Sequence, residues 1–161
     1  MRFPVPAGGT LALWLAFTTP AYAFDLHRFW DAQCQGCHGH SADFARAELA
    51  KNPPPAERLA GFIAGHRGGV DPRLAAAIAA MLTAQANQPA DFREHCRVCH
   101  GDAASLARNL IRRDGGLYGR YSGRALREFL ESHARLDADG AEAFARLMER
   151  VEAEVHFAEV E

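Results

Sequence analysis

Four cysteines and eight histidines matter in this chain because of their order. The cysteines fall as Cys34-Gln-Gly-Cys37-His38 and Cys96-Arg-Val-Cys99-His100, two pairs of identical spacing, each followed at once by histidine. Two thiols near one another at a helix end can form thioether bonds to the two vinyl groups of a haem, and the adjacent histidine then faces the iron as axial ligand. C-x-x-C-H is the attachment pattern of c-type haem, and it occurs here twice. Other chemistries use paired cysteines. A four-cysteine disulfide framework has three possible connectivities, but nothing in it asks for a histidine after each pair. A zinc site would use the same four thiols without requiring His38 or His100. A redox-active C-x-x-C prefers a βαβ setting, which this sequence does not show. The expectation is two covalently attached haem c groups, held by Cys34, Cys37, Cys96 and Cys99, with His38 and His100 as proximal iron ligands.

The motifs anchor an internal repeat. The segment Cys34–Arg46 aligns without gaps to Cys96–Arg108, and Phe62-Ile-Ala-Gly-His66 matches Phe129-Leu-Glu-Ser-His133 after five extra residues in the second copy. Repetition at about 62 residues reads as two tandem modules, 24–86 and 87–161. The joint is expected in Thr83–Ala90, a polar stretch ended by Pro89. Modules this small have marginal cores unless something staples them, and a covalent haem would do so.

The elements that must position these residues read as helices, with no convincing strands. Phe24–Ala32 and Ala90–Glu94 lead into the motifs, with Trp30 and Phe92 each four residues before the first cysteine, a spacing that shares one helix face. Asp71-Pro72 reads as an N-cap and first helical residue, followed by Leu74, Ile78, Met81 and Leu82 at helical spacing. Asp139-Gly-Ala-Glu142 has the pattern of a capping box, with Ala141, Phe144, Met148 and Val151 as the apolar stripe. Asn52–Pro55 and Arg112–Gly116 read as loops.

An aromatic four residues before the first cysteine, then C-x-x-C-H, a loop region, a candidate sixth ligand and a closing helix: this order resembles class I cytochromes c, twice over, from Phe24 to about Val155. The resemblance implies an all-α fold of two small helical domains. In each, the first and last helices cross and the haem is wedged beneath them. Two departures stand out. No proline follows the haem histidine, where Gly39-His40 and Gly101-Asp102 run on, and no methionine precedes either closing helix. The second departure bears on the distal iron ligand. His66 and His133 hold equivalent repeat positions just before the closing helices, and are the expected distal ligands. Met81 and Met148, each fifteen residues further on, are the alternatives, but both sit in apolar stripes where a core role is usual. Bis-histidine ligation lacks the methionine that raises haem potential, so lower potentials are implied.

Of the remaining histidines, His40 and His95 flank the motifs as solvated neighbours, His27 lies in the leading helix and His156 in the tail. Arg112, Arg113, Arg120, Arg124 and Arg127 concentrate positive charge in the second module. They form either a solvated loop, a set of guanidinium partners for haem propionates joined by Tyr118 or Tyr121, or a docking patch for an acidic redox partner.

Composition bounds the rest. The 161 residues are 48% hydrophobic and 24% charged with net charge −2, a globular balance. With 18 basic against 20 acidic residues, no basic excess points to nucleic acid. Arg2, the apolar run Thr10–Phe17 and Pro20-Ala-Tyr-Ala23 form a secretory signal over residues 1–23, cleaved after Ala23. The run is too short to cross about 30 Å of hydrocarbon, so the mature chain is expected in the periplasm without a transmembrane anchor. The function expected is electron transfer between periplasmic redox proteins, or to and from a soluble or membrane-bound oxidoreductase, with no catalytic residues. The alternatives are a small haem enzyme (a peroxidase or a sulfur-compound oxidoreductase subunit) and a gas-binding protein. Both need an open iron position.

Overall fold

Asp71 and Pro72 start a helix for separate physical reasons. The Asp71 carboxylate accepts from the backbone N–H groups of Arg73 and Leu74 at 2.9 and 3.2 Å, and Pro72 gives up an N–H that the first turn does not use. In the computed structural model, which describes residues 23–66, 69–88, 92–133 and 136–158, this helix is α5, Pro72–Ala86. It follows β1 (Ala23–Phe24), α1 (Leu26–Gln33), α2 (Gln35–His38), α3 (Ser41–Phe44), a π-helical turn at Ala45–Leu49 and α4 (Ala56–Gly65). The second half runs α6 (Phe92–His95), α7 (Ala103–Ala107), β2 (Leu110–Arg113), β3 (Gly116–Gly119), α8 (Leu126–Ser132), α9 (Ala138–Val155) and β4 (Phe157–Ala158). The described chain is thus mostly helical. The proposed signal cleavage lies at the edge of this region, since residues 1–22 are outside it.

Three local expectations need correction. Helix α5 continues through Ala86, so Thr83–Ala86 is helix rather than joint. Helix α9 starts two residues earlier than a cap at Asp139 requires. Asp137 is the N-cap, its side chain accepting from Gly140 N–H at 2.8 Å, while Leu136 before it and Ala141 after it both pack on the core. That apolar pair across the cap is a hydrophobic staple. A Cβ on Gly140 would meet the Asp137 carboxylate at 2.9 Å, so glycine lets this cap close. Finally, Arg112–Gly116 is not an open loop. It is the heart of an antiparallel hairpin in which Leu110 pairs with Gly119 and Arg113 with Gly116. Asp114 and Gly115, with φ of 51° and 77°, make its two-residue turn, because two successive left-handed residues match the twist of the flanking strands.

The buried apolar side chains form two separate clusters. Leu26, Trp30, Leu74, Ile78, Met81 and Leu82 anchor the first, and Leu110, Leu117, Leu130, Phe144, Met148 and Val151 the second. Trp30 with Cys34, and Phe92 with Cys96, pack on the first and second cluster respectively, as the four-residue spacing requires. Between the clusters run polar ties. His27 Nε2 lies 2.8 Å from the Glu154 carboxylate, with both side chains only 10% exposed. Arg108 donates to Asp25 at 2.8 Å, Arg93 pairs with Asp43, and β1 pairs with β4 through Phe24 and Phe157. No helix among the described residues is long and apolar enough to cross a membrane.

Candidate functional site

Each C-x-x-C-H segment is a single helical turn. The Cys34 carbonyl accepts from the N–H groups of Cys37 and His38 at 3.1 and 3.0 Å, and the Cys96 carbonyl accepts from Cys99 and His100 at 3.1 and 2.9 Å. Backbone bonding of this kind puts the thiols of each pair on one face of the turn with the histidine beside them. No disulfide joins these four cysteines to one another. Burial pushes the Cys34 thiol above its ordinary range and the Cys96 thiol up to about 11. The two pairs line different cavities, so they do not form one four-thiol zinc site.

The first cavity, about 380 Å³, is bounded by Cys34, Cys37, His38 and His66 within a wall of Phe29, Trp30, Phe44, Leu59, Phe62, Ile63 and Ile78. The second, about 460 Å³, has Cys96, Cys99, His100 and His133 within a wall that includes Phe92, Leu106, Leu126, Phe129, Leu130 and Phe144. In both, the motif histidine faces the second histidine. Ring centroids of His38 and His66 are 5.9 Å apart, and those of His100 and His133 are 6.0 Å apart. Two in-line imidazole–metal bonds of about 2 Å each, plus the depth of each ring, put the centroids about 6 Å apart. The residues present therefore fit a planar apolar group with a metal ion held between two imidazoles.

What orients the second histidine is the same in both halves. His66 is the C-cap of α4 and His133 the C-cap of α8, each one turn beyond a phenylalanine. Phe62 lies 5.0 Å from His66, and Phe129 stacks on His133 at 4.2 Å. The histidines thus end helices rather than floating in loops. The motif histidines are held differently. His38 meets Phe44 edge-on at 4.9 Å, and Trp30 Nε1 donates to the Gly39 carbonyl at 2.9 Å, pinning the chain just after it. Phe92, in the equivalent place before the second motif, has no such donor.

The other candidates separate cleanly. Met81 is 1% exposed inside the first cluster and is not among the residues lining the first cavity. Met148 packs in the second cluster and also reaches the second cavity wall. His95 lines that cavity against Phe144, at 5.5 Å. His40 and His27 line a cleft between the halves, and His156 caps the end of α9. Of the arginines, Arg112 pairs with Glu152, Arg127 with Glu142 and Glu149, and Arg113 lies over the Tyr118 ring. Only Arg120 and Arg124 of that group, with Tyr121, line the second cavity. The buried His27–Glu154 pair is the feature that sequence reasoning missed, since 127 positions separate its partners. Comparison with protein-family models, curated proteins and solved structures returns no match.

Proposed function

We propose that the chain is a dihaem c-type cytochrome, two tandem cytochrome c-like domains exported to the periplasm, where it passes electrons between redox partners. The observation that carries the reading is the doubled geometry: a histidine pair about 6 Å apart across an apolar cavity, with a C-x-x-C pair on the same wall, in each half. When bound, each haem supplies a one-electron iron couple within an environment that the protein tunes. The protein's own residues do the rest. Cys34 and Cys37 would hold one haem by thioether bonds, and Cys96 and Cys99 the other. His38 with His66, and His100 with His133, would hold the two irons, which would leave neither site open to a substrate. The aromatic walls exclude water and keep the local dielectric low. Two imidazoles in place of an imidazole and a methionine hold both potentials toward the lower range.

Protein from a host that matures c-type cytochromes tests this directly. Intact mass is expected to show a chain starting at Phe24 with two haem additions, and the visible spectrum to be low-spin in both redox states. A single addition overturns the two-haem reading, and ready binding of carbon monoxide by the wild-type protein overturns the electron-transfer reading in favour of an open iron site and the catalytic or gas-binding alternatives.

A further inference from the structure

The two cavities differ in charge. Among the described residues no arginine or lysine lines the first, and its one acidic wall residue, Asp71, spends its carboxylate on the α5 cap. Arg120 and Arg124 line the second, together with Tyr121, Ser122 and Asn109. Neither guanidinium has a carboxylate partner among the described residues. Arg108, Arg112, Arg113, Arg127, Arg146 and Arg150 of the same half are all ion-paired. Unpaired arginines beside an apolar cavity, in a half where acidic partners are plentiful, point to an anion that the cavity's occupant brings with it.

The segment that carries them is braced. Arg120 N–H donates to the Asn109 carbonyl at 2.8 Å, Gly119 N–H to the Arg124 carbonyl at 3.0 Å, and Gly123 N–H to the Gly119 carbonyl at 2.8 Å. The Arg124 guanidinium lies 5.2 Å over the Phe129 ring, and Phe129 stacks on His133, so the cation is layered onto the distal histidine. This turn follows a hairpin that, among the described residues, only the second half possesses. The first half runs instead through the π-helical turn and Asn52–Pro55.

We infer that Arg120 and Arg124, with Tyr121 beside them, form a carboxylate-binding edge for the propionates of the second haem, and that this edge sets the second site's potential above the first's. The inference rests on the haem reading above. Reduction makes a site more negative by one charge. Fixed cations beside it, and neutralised carboxylates at its rim, therefore favour the reduced form. A single electron shared by the two sites at equilibrium resides on the second.

Potentiometric titration of the full two-haem protein tests the inference. Wild type is expected to titrate in two resolved one-electron steps. In Arg120→Gln/Arg124→Gln the higher potential falls by at least a tenfold change in equilibrium constant, about 59 mV, and the lower one stays. The single variants, expected to fall by part of that amount, serve if the double variant folds poorly. Arg120→Lys/Arg124→Lys, which keeps the charge, retains most of the wild-type potential. Arg113→Gln removes a cation bound elsewhere and moves neither step. One unresolved wave in wild type, a fall in the lower potential, or no change in either overturns the inference. Failure of the haem reading itself looks different: wild type then lacks two haems by mass, or is high-spin, before any variant is made.

Discussion

His66 and His133 each stand one turn beyond a phenylalanine at a helix end, which fixes the ring toward the motif histidine on the far side of the cavity. An iron that loses its distal ligand becomes five-coordinate or takes water. On the proposed dihaem reading, His133→Ala is therefore expected to turn the second haem high-spin and open it to carbon monoxide, with the first unchanged, and His66→Ala to do the reverse. Optical titration with carbon monoxide reads both. Met148 is the sharper control because it both packs in the core and touches the cavity wall. Met148→Leu conserves volume and is expected to cost under about 1.5 kcal/mol with an unaltered spectrum. Loss of a methionine-to-iron charge-transfer band in that variant would transfer the distal role to Met148. At this scale much was legible, since residue type, spacing and repeat position single out both histidines. Which side chain meets which across a cavity was not, because facing is a property of two helices and sequence spacing reports one.

The elements show where local signals suffice and where context overrides them. Asp71-Pro72 starts α5 as its local chemistry dictates, so Asp71→Ala is expected to cost about 1 kcal/mol, read by thermal unfolding. At α9 the capping-box pattern at Asp139 loses to Asp137, because starting there also docks Leu136 and Ala141 on the core. A cap contributes about as much as one modest apolar contact, so packing decides between two nearby candidates. The hairpin is the clearest miss. Asp114-Gly115 is a turn signal, but its flanks carry Arg112, Arg113 and two further glycines, which mute strand alternation. Nothing stands within 4 Å of a Cβ built on Gly115, yet its φ of 77° penalises any side chain. Gly115→Ala is therefore expected to destabilise by about 1 kcal/mol through backbone strain alone, visible as a lower unfolding midpoint.

The two apolar clusters are separate, and the ties between them are largely polar. Burial by itself raises the Asp25 carboxyl, but the hydrogen bonds from Arg108 and the Arg28 N–H and the nearby positive charges outweigh it and hold Asp25 below its ordinary range. Asp43 is likewise held low: burial opposes, and the Arg93 hydrogen bond and charge prevail. Both pairs join one half to the other. A carboxyl whose folded value lies below its ordinary 3.8 contributes stability that is complete above that value and is lost as pH falls through the lower folded one. Cohesion of the halves is thus expected to weaken only below about pH 4, and Asp25→Asn to flatten that acid dependence in unfolding measured against pH. Glu154, 8% exposed and bonded to His27 and Arg150, is a stronger tie. Glu154→Ala leaves the buried His27 without its carboxylate partner and Arg150 with Gln88 as its remaining acceptor, and is expected to cost about 3 kcal/mol in chemical denaturation.

The sequence by itself determined the two C-x-x-C-H segments, the repeat that relates them, the mostly helical character and the stripes that became the two cores. Each of these is local, set by residue type and by periods of three to four positions. The tertiary structure alone decided that each motif histidine faces a second histidine, that Met81 stays in the core while His66 reaches the cavity, and that two of five clustered arginines turn toward a cavity while the others find carboxylates. It also decided that α1, at one end of the chain, meets α9 at the other through His27 and Glu154. Such pairings depend on where helices pack in space, which no single segment of sequence encodes.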